Sequence, residues 1–288
     1  MERFVTRGRS PTQQKAPPSP PAGPLRVLEL FSGTGSVGDV CQQRGYEVVC
    51  LDLNAAADIN MDIMKWDYKQ SGYKPGDFHV IWASPPCHTF SSLRCLSLGK
   101  KLKCHGGRPA TRAMLQADMY EMGLPLLRKA EEIIEYFKPV HWFIENPDTG
   151  KMKKFMTKHW FYVVDYCVYS SPGDQFPYRK RTRIWSNMRR FRARRCKELT
   201  RCAFYVPGTA NKHRQTLFGA VSRNNKYRIP MLLVHELLPD ACRLDPSERK
   251  RWIAEQRSTG LRRSGATSAK DLLEQEHFEK LSCRNSCA

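Results

Sequence analysis

Arg26-Val27-Leu28-Glu29-Leu30-Phe31-Ser32-Gly33-Thr34-Gly35-Ser36-Val37-Gly38 decides the fold, because a short apolar run passes directly into G-x-G-x-x-G. Such a run reads as a strand, and glycines where a strand hands over to a helix let the backbone turn tightly and approach a ligand closely. About 17 residues beyond Gly35, near the end of a second run at 46–53, stands Asp52, suited to accept hydrogen bonds from ribose hydroxyls. Phe31, Ser32, Gly33, Thr34, Gly35 and Asp52 together fit an adenosine-type ligand. Nicotinamide enzymes use the same device, so the turn alone does not name the cofactor. Asp62-Ile63 offers a contact to adenine, with a helix cap at Asp62 as the alternative.

Working outward, further apolar runs at 78–84, 140–145 and 161–169 read as strands, mostly buried on both faces. Between the first two of these, 110–137 carries Leu115, Met119, Met122, Leu126, Ala130 and Ile133 at helical spacing, with a kink expected at 123–125. Strands alternating with helices predict a doubly wound α/β sheet, in which ligands bind beyond the carboxyl ends of the strands.

The rest of the chain divides by composition. Residues 1–24 read as a disordered, basic, Pro-rich tail without hydrophobic period, and 25–187 as the α/β domain. Residues 188–227 make a short basic region, 228–240 return to the domain, and 241–288 form a tail with two capped helices. No run approaches the ~20 apolar residues of a bilayer span, and the N-terminus lacks the apolar core of a signal peptide, so a soluble, intracellular protein is expected, nuclear if the host is eukaryotic, with a monomer favoured. Eleven scattered cysteines in 288 residues read as reduced thiols. A formal charge of +20 points to a polyanionic partner.

At the end of the third strand, Ser84-Pro85-Pro86-Cys87-His88-Thr89-Phe90-Ser91 forms a stiff turn presenting the Cys87 thiol at the carboxyl edge. A working thiol needs a lowered pKa or a base, and His88 or a basic neighbour is available. The fourth strand ends in Glu145-Asn146-Pro147, which brings a carboxylate to the same edge. Beyond it, Tyr178-Arg179-Lys180-Arg181-Thr182-Arg183-Ile184-Trp185 interleaves basic and aromatic residues, with Arg181 and Arg183 on one side of any strand. Arg189, Arg190, Arg192, Arg194 and Arg195 extend this into a nucleic-acid groove or a nuclear signal.

These residues, from about Arg26 to Asn187, resemble the C5-cytosine DNA methyltransferases, especially the compact members of phages and viruses. Phe31-x-Gly33-x-Gly35 is similar to the family's cofactor motif, Pro85-Pro86-Cys87 to its nucleophile motif, Glu145-Asn146 to its base-binding motif and Arg181-x-Arg183 to its arginine motif. The resemblance implies a Rossmann-like class I methyltransferase sheet with helices on both faces, and S-adenosylmethionine as cofactor. It further implies that Cys87 adds to C6 of a flipped cytosine, Glu145 and Arg183 assist, and Pro86, Asn146 and Arg181 contact substrate. Pro85, Asp62 and Ile63 join the cofactor set. The sequence departs from the family at Pro147, where valine is common, and at Arg179, which stands where glutamine opens the arginine motif. The 188–227 region is also far shorter than the usual target-recognition domain.

DNA is the expected partner, with RNA methylation and a catalytically silent nucleic-acid-binding protein as the alternatives. Ser-Pro-Pro also serves exocyclic amino methyltransferases, but those place an aromatic residue where Cys87 stands. Cys196, Cys202 and His213 could bind zinc with a fourth ligand, but their spacing matches no tight zinc pattern, so reduced cysteines without a metal are the expectation.

Overall fold

The computed structural model describes residues 25–53, 56–171, 173–189, 191–197, 202–208, 213, 215 and 222–238. The tails expected over 1–24 and 241–288 lie outside the described residues, as does part of 188–227.

β1 (Arg26–Leu30) feeds α1 (Ser36–Gln43), and β2 (Glu47–Asp52) returns parallel to it. A two-residue strand, β3 (Ile59–Asn60), extends that edge. Beyond β4 (Val80–Ala83), α2 (Arg112–Asp118) and α3 (Leu124–Phe137) lead to β5 (His141–Pro147), which runs parallel to β4. Then come β6 (Phe161–Asp165), β7 (Arg181–Ser186), α4 (Arg223–Tyr227) and α5 (Met231–Leu237). The seven strands lie in the order β3-β2-β1-β4-β5-β7-β6, and β7 is antiparallel to both its neighbours. This is the class I methyltransferase sheet.

Strand pleating divides the core into two layers. Val27, Trp82, Phe143 and Ile184 pack on one face with Val37 and Val40 of α1 and Leu233, Val234 and Leu237 of α5. Leu28, Leu30, Ile81, Ile144 and Trp185 pack on the other with Leu127, Ala130, Ile133 and Phe137 of α3. Arg44 ties the end of α1 to α5, donating to the carbonyls of His235 (3.0 Å) and Leu238. Among the described residues, no helix is long and apolar enough to cross a membrane.

Two expectations are redrawn. The strand read over 161–169 ends at Asp165; Tyr166–Tyr169 is a 3₁₀ turn whose Tyr166 N–H bonds the Lys180 carbonyl, and Tyr166, Cys167 and Tyr169 all turn inward. The helix read over 110–137 is two helices joined by a π-turn at Met119–Gly123, so the break begins before Pro125. Strand order reverses between β1 and β4, which opens a crevice at their carboxyl ends.

Candidate active site

The chain leaves β1 through Phe31, which adopts a positive φ of 59°, then turns on Gly33 and Gly35 at 53° and 70°. A left-handed phenylalanine is strained by roughly 1–3 kcal/mol, and such strain collects at ligand-binding turns. Two hydrogen bonds from Phe31 N–H (2.9 Å) and Ser32 N–H (3.3 Å) to the Leu51 carbonyl hold the turn against β2. Asp52 locks it further by accepting from Gly33 N–H at 2.9 Å. Asp62 caps its own turn, accepting from Met64 N–H at 2.9 Å, while Ile63 is buried beside it.

Across the crevice, Asn146 is buried and donates from Nδ2 to the Pro85 carbonyl at 2.9 Å. The strand that carries Glu145 thus also fixes the proline turn that carries Cys87. Burial pushes the Cys87 thiol up; the Lys180 ammonium pulls it partly back, and Glu145 opposes that pull. His88 is pushed down by burial and by Arg94, so its imidazole is neutral at neutral pH. Glu145 is itself buried; Tyr166 donates its hydroxyl to Oε1 at 2.9 Å, and Lys180 Nζ lies 3.8 Å from the same oxygen. Burial, then the Glu145 charge, raises Tyr166 well above the ordinary phenol, which keeps it a donor.

These parts line one cavity of about 300 Å³. Its lining joins Phe31, Ser32, Gly33, Thr34, Asp52, Asp62 and Ile63 with Pro85, Pro86, Cys87, Glu145, Asn146 and Lys180. Its volume sits at the lower bound of the ~300–1,000 Å³ usual for small-molecule sites.

The chain is 40% identical over 228 residues to a probable DNA (cytosine-5)-methyltransferase of Frog virus 3 (isolate Goorha), covering 76% of this chain and 100% of the relative. It belongs to the DNA (cytosine-5)-methyltransferase family. No protein-family model matches it. Among solved structures, the Entamoeba histolytica methyltransferase EhMeth is 16% identical over 60% of this chain and 55% of its own, with a TM-score of 0.33, an overlap too loose to bear on the site.

Three residues expected at this methyltransferase's site stand outside the cavity lining: Gly35, Arg181 and Arg183. Gly35 shapes the turn from behind, as the residue preceding α1. For the arginines the reason is pleat parity. Glu145 pairs in register with Ile184, so Thr182 and Ile184 share its face while Arg181 and Arg183 take the other. Arg183 lies buried, bonded to Asp148 at 2.7 Å and stacked over Phe161, and Arg181 pairs with Asp165 at 3.3 Å. Lys180, one residue before β7, supplies the cation beside Glu145. Much of the basic run is likewise spent on the fold: Arg194 pairs with Glu236, and Arg195 with Asp165.

Sequence reading missed Glu29, although a carboxylate inside an apolar strand was signal enough. It is buried under α1, accepts from Gly38 N–H at 2.8 Å, and is raised from 4.5 to about 7, by burial above all. A carboxyl raised on folding supports the native state while protonated, and that support is lost as pH climbs from the unfolded value through about 7. Glu29→Gln therefore becomes increasingly more stable than wild type as pH rises, by about 2–3 kcal/mol between about pH 5 and about pH 8. Urea unfolding at the two values measures the gap, and a gap independent of pH contradicts the assignment.

Gly123 was likewise read only as part of a kink. A Cβ there would stand 2.1 Å from Thr89 Oγ1 and 3.0–3.1 Å from the Phe90 ring, both buried in the turn that carries Cys87. In an open helix Gly→Ala gains about 1 kcal/mol. Here it displaces the nucleophile's turn, and Gly123→Ala is expected to slow transfer by about 10- to 100-fold. Adding Thr89→Ala should restore part of the rate; full activity in the single variant contradicts this packing.

Proposed function

We propose that this methyltransferase uses S-adenosylmethionine to methylate C5 of cytosine in DNA through a covalent Cys87 adduct. The observation that carries the reading is the single cavity shared by the glycine turn and by Cys87 and Glu145.

The residues present fit the cofactor. Gly33 and Gly35 leave bare backbone at the turn, Asp52 offers a carboxylate to a ribose, and Leu53 and Met61 are apolar side chains exposed at the cavity wall, where an adenine ring would cover them. When bound, the cofactor supplies an electrophilic methyl group on a sulfonium that departs as a neutral thioether.

The chain's own residues do the rest. A stacked cytosine hides C6, so the base must leave the duplex before Cys87 can reach it. The Cys87 thiolate forms the S–C6 bond, and the ring's electron pair moves to C5, where the C–CH₃ bond forms. Glu145 holds the N3/N4 edge and balances the positive charge on the protonated ring, and Tyr166 on Oε1 leaves Oε2 for the base. A water-mediated base removes the C5 proton, the C5–C6 double bond reforms, and Cys87 leaves as thiolate. Asn146 acts through Pro85, holding the turn, and Arg183 through Asp148.

The name borne by the Frog virus 3 relative supports DNA as the polymer. Incubation with methyl-labelled S-adenosylmethionine and equal cytosine-containing DNA and RNA, followed by nucleoside mass spectrometry, is expected to give labelled 5-methyldeoxycytidine. Label in RNA alone would move the reading to the other polymer, and absence of label in both would overturn it.

A further inference from the structure

We infer that Cys167, Cys196, Cys202 and His213 form a structural zinc site that pins residues 191–197, 202–208 and 213 to the catalytic core. Their ligand atoms all lie within 4.8 Å of one another. His213 Nε2 stands 3.6 Å from Cys196 Sγ and 3.3 Å from Cys202 Sγ. A tetrahedral zinc with Zn–S of ~2.3 Å and Zn–N of ~2.0 Å requires an S···N separation of about 3.5 Å and an S···S separation of about 3.8 Å. The two S···N separations match that geometry, and the remaining pairs lie within 4.8 Å.

Chance packing of core cysteines explains the arrangement poorly. Cys167, Cys196 and His213 are buried and Cys202 half-buried, yet Cys167 lies far along the chain from Cys196 and Cys202, and His213 lies beyond them. Three thiolates and one imidazole make a soft, closed set with no position left for substrate, the signature of a structural zinc.

The surroundings favour a staple. Residues 191–197 and 202–208 contain no helix or multi-residue strand; an isolated bridge between Tyr205 and His213 joins the second of these segments to the histidine ligand. A segment so poor in regular structure gains folding energy from a metal. Cys196 is already oriented, its N–H bonded at 3.0 Å to Asp165, a buried carboxylate that also holds Arg181 and Arg195. Cys167 follows Tyr166, the donor to Glu145, so the site links these segments to the catalytic carboxylate within one residue. The spacing Cys196-x5-Cys202-x10-His213 gave no tight motif because the fourth ligand lies 29 residues earlier, in a stretch read as strand.

The test is metal content of the full chain, expressed with zinc and dialysed without chelator. About one zinc per chain is expected. Cys196→Ser and His213→Ala should lose it, while Cys104→Ser, in the separate Cys104, His105 and Asp118 group, should keep it. Replacing zinc by cobalt(II) in the wild-type chain should give the strong visible bands of tetrahedral thiolate coordination. His213→Cys, which retains four ligands, should still bind cobalt with a shifted spectrum; this arm stands even if the serine variant fails to fold. A wild-type chain that holds no zinc overturns the inference, as does equal zinc in Cys196→Ser and His213→Ala. Two fewer titratable thiols than the sequence contains, marking a disulfide in the cluster, would overturn it as well.

Discussion

Cys87→Ala is expected to abolish methyl transfer, with a loss on the order of 10⁴-fold or more, while leaving the fold and cofactor affinity nearly unchanged. The asymmetry follows from where the side chain sits. Its turn is held by the Asn146 bond to the Pro85 carbonyl and by the backbone bond from Phe90 N–H to the Cys87 carbonyl at 3.1 Å, neither of which uses the sulfur. Without the S–C6 bond, C5 has no electron pair to offer, so no other residue can substitute. DNA bearing 5-fluorocytosine supplies the second measurement: wild type should be trapped as a covalent adduct stable to denaturation, and Cys87→Ala should not. Because burial raises the thiol and Lys180 only partly compensates, the thiolate is a minor species at neutral pH. The wild-type single-turnover rate should climb about tenfold per pH unit across the neutral range. Transfer undiminished in Cys87→Ala would falsify the nucleophile assignment.

Asp148→Asn is the second large effect, and it falls on stability. Asp148 and Arg183 are both buried, with the guanidinium Nε and NH2 each 2.7 Å from one carboxylate oxygen. Removing one partner leaves an uncompensated charge in the core, which costs about 3–5 kcal/mol. In a domain of this size that lowers Tm by roughly 10 °C. Replacing both partners, as in Asp148→Leu with Arg183→Met, should recover much of the loss, since a well-packed apolar pair often matches a buried ion pair. If Arg183 instead serves the base directly, Asp148→Asn will leave Tm nearly unchanged and Arg183→Met will lower transfer without unfolding the chain. Thermal melts and rates on the same samples distinguish the two.

Much of this protein was written locally. The passage from RVLEL into the glycine turn, the carboxylate at Asp52, the stiff Ser84-Pro85-Pro86-Cys87 turn and Glu145 closing an apolar strand each lie within a few residues. In a doubly wound sheet every such strand end opens on the same edge, so sequence sufficed to assemble most of the cavity. What sequence could not decide was which face of β7 meets Glu145. That depends on its antiparallel register against β5, a one-residue matter that sent Arg181 and Arg183 to the far side and left Lys180 beside the carboxylate. Nor could it join Cys167 to Cys196, Cys202 and His213, because ligands distant in sequence converge only after the sheet has formed. Motifs that live on one strand and its turn were determined by the sequence alone; pairings between strands and between distant segments were decided by the tertiary structure, where register and packing choose the partners.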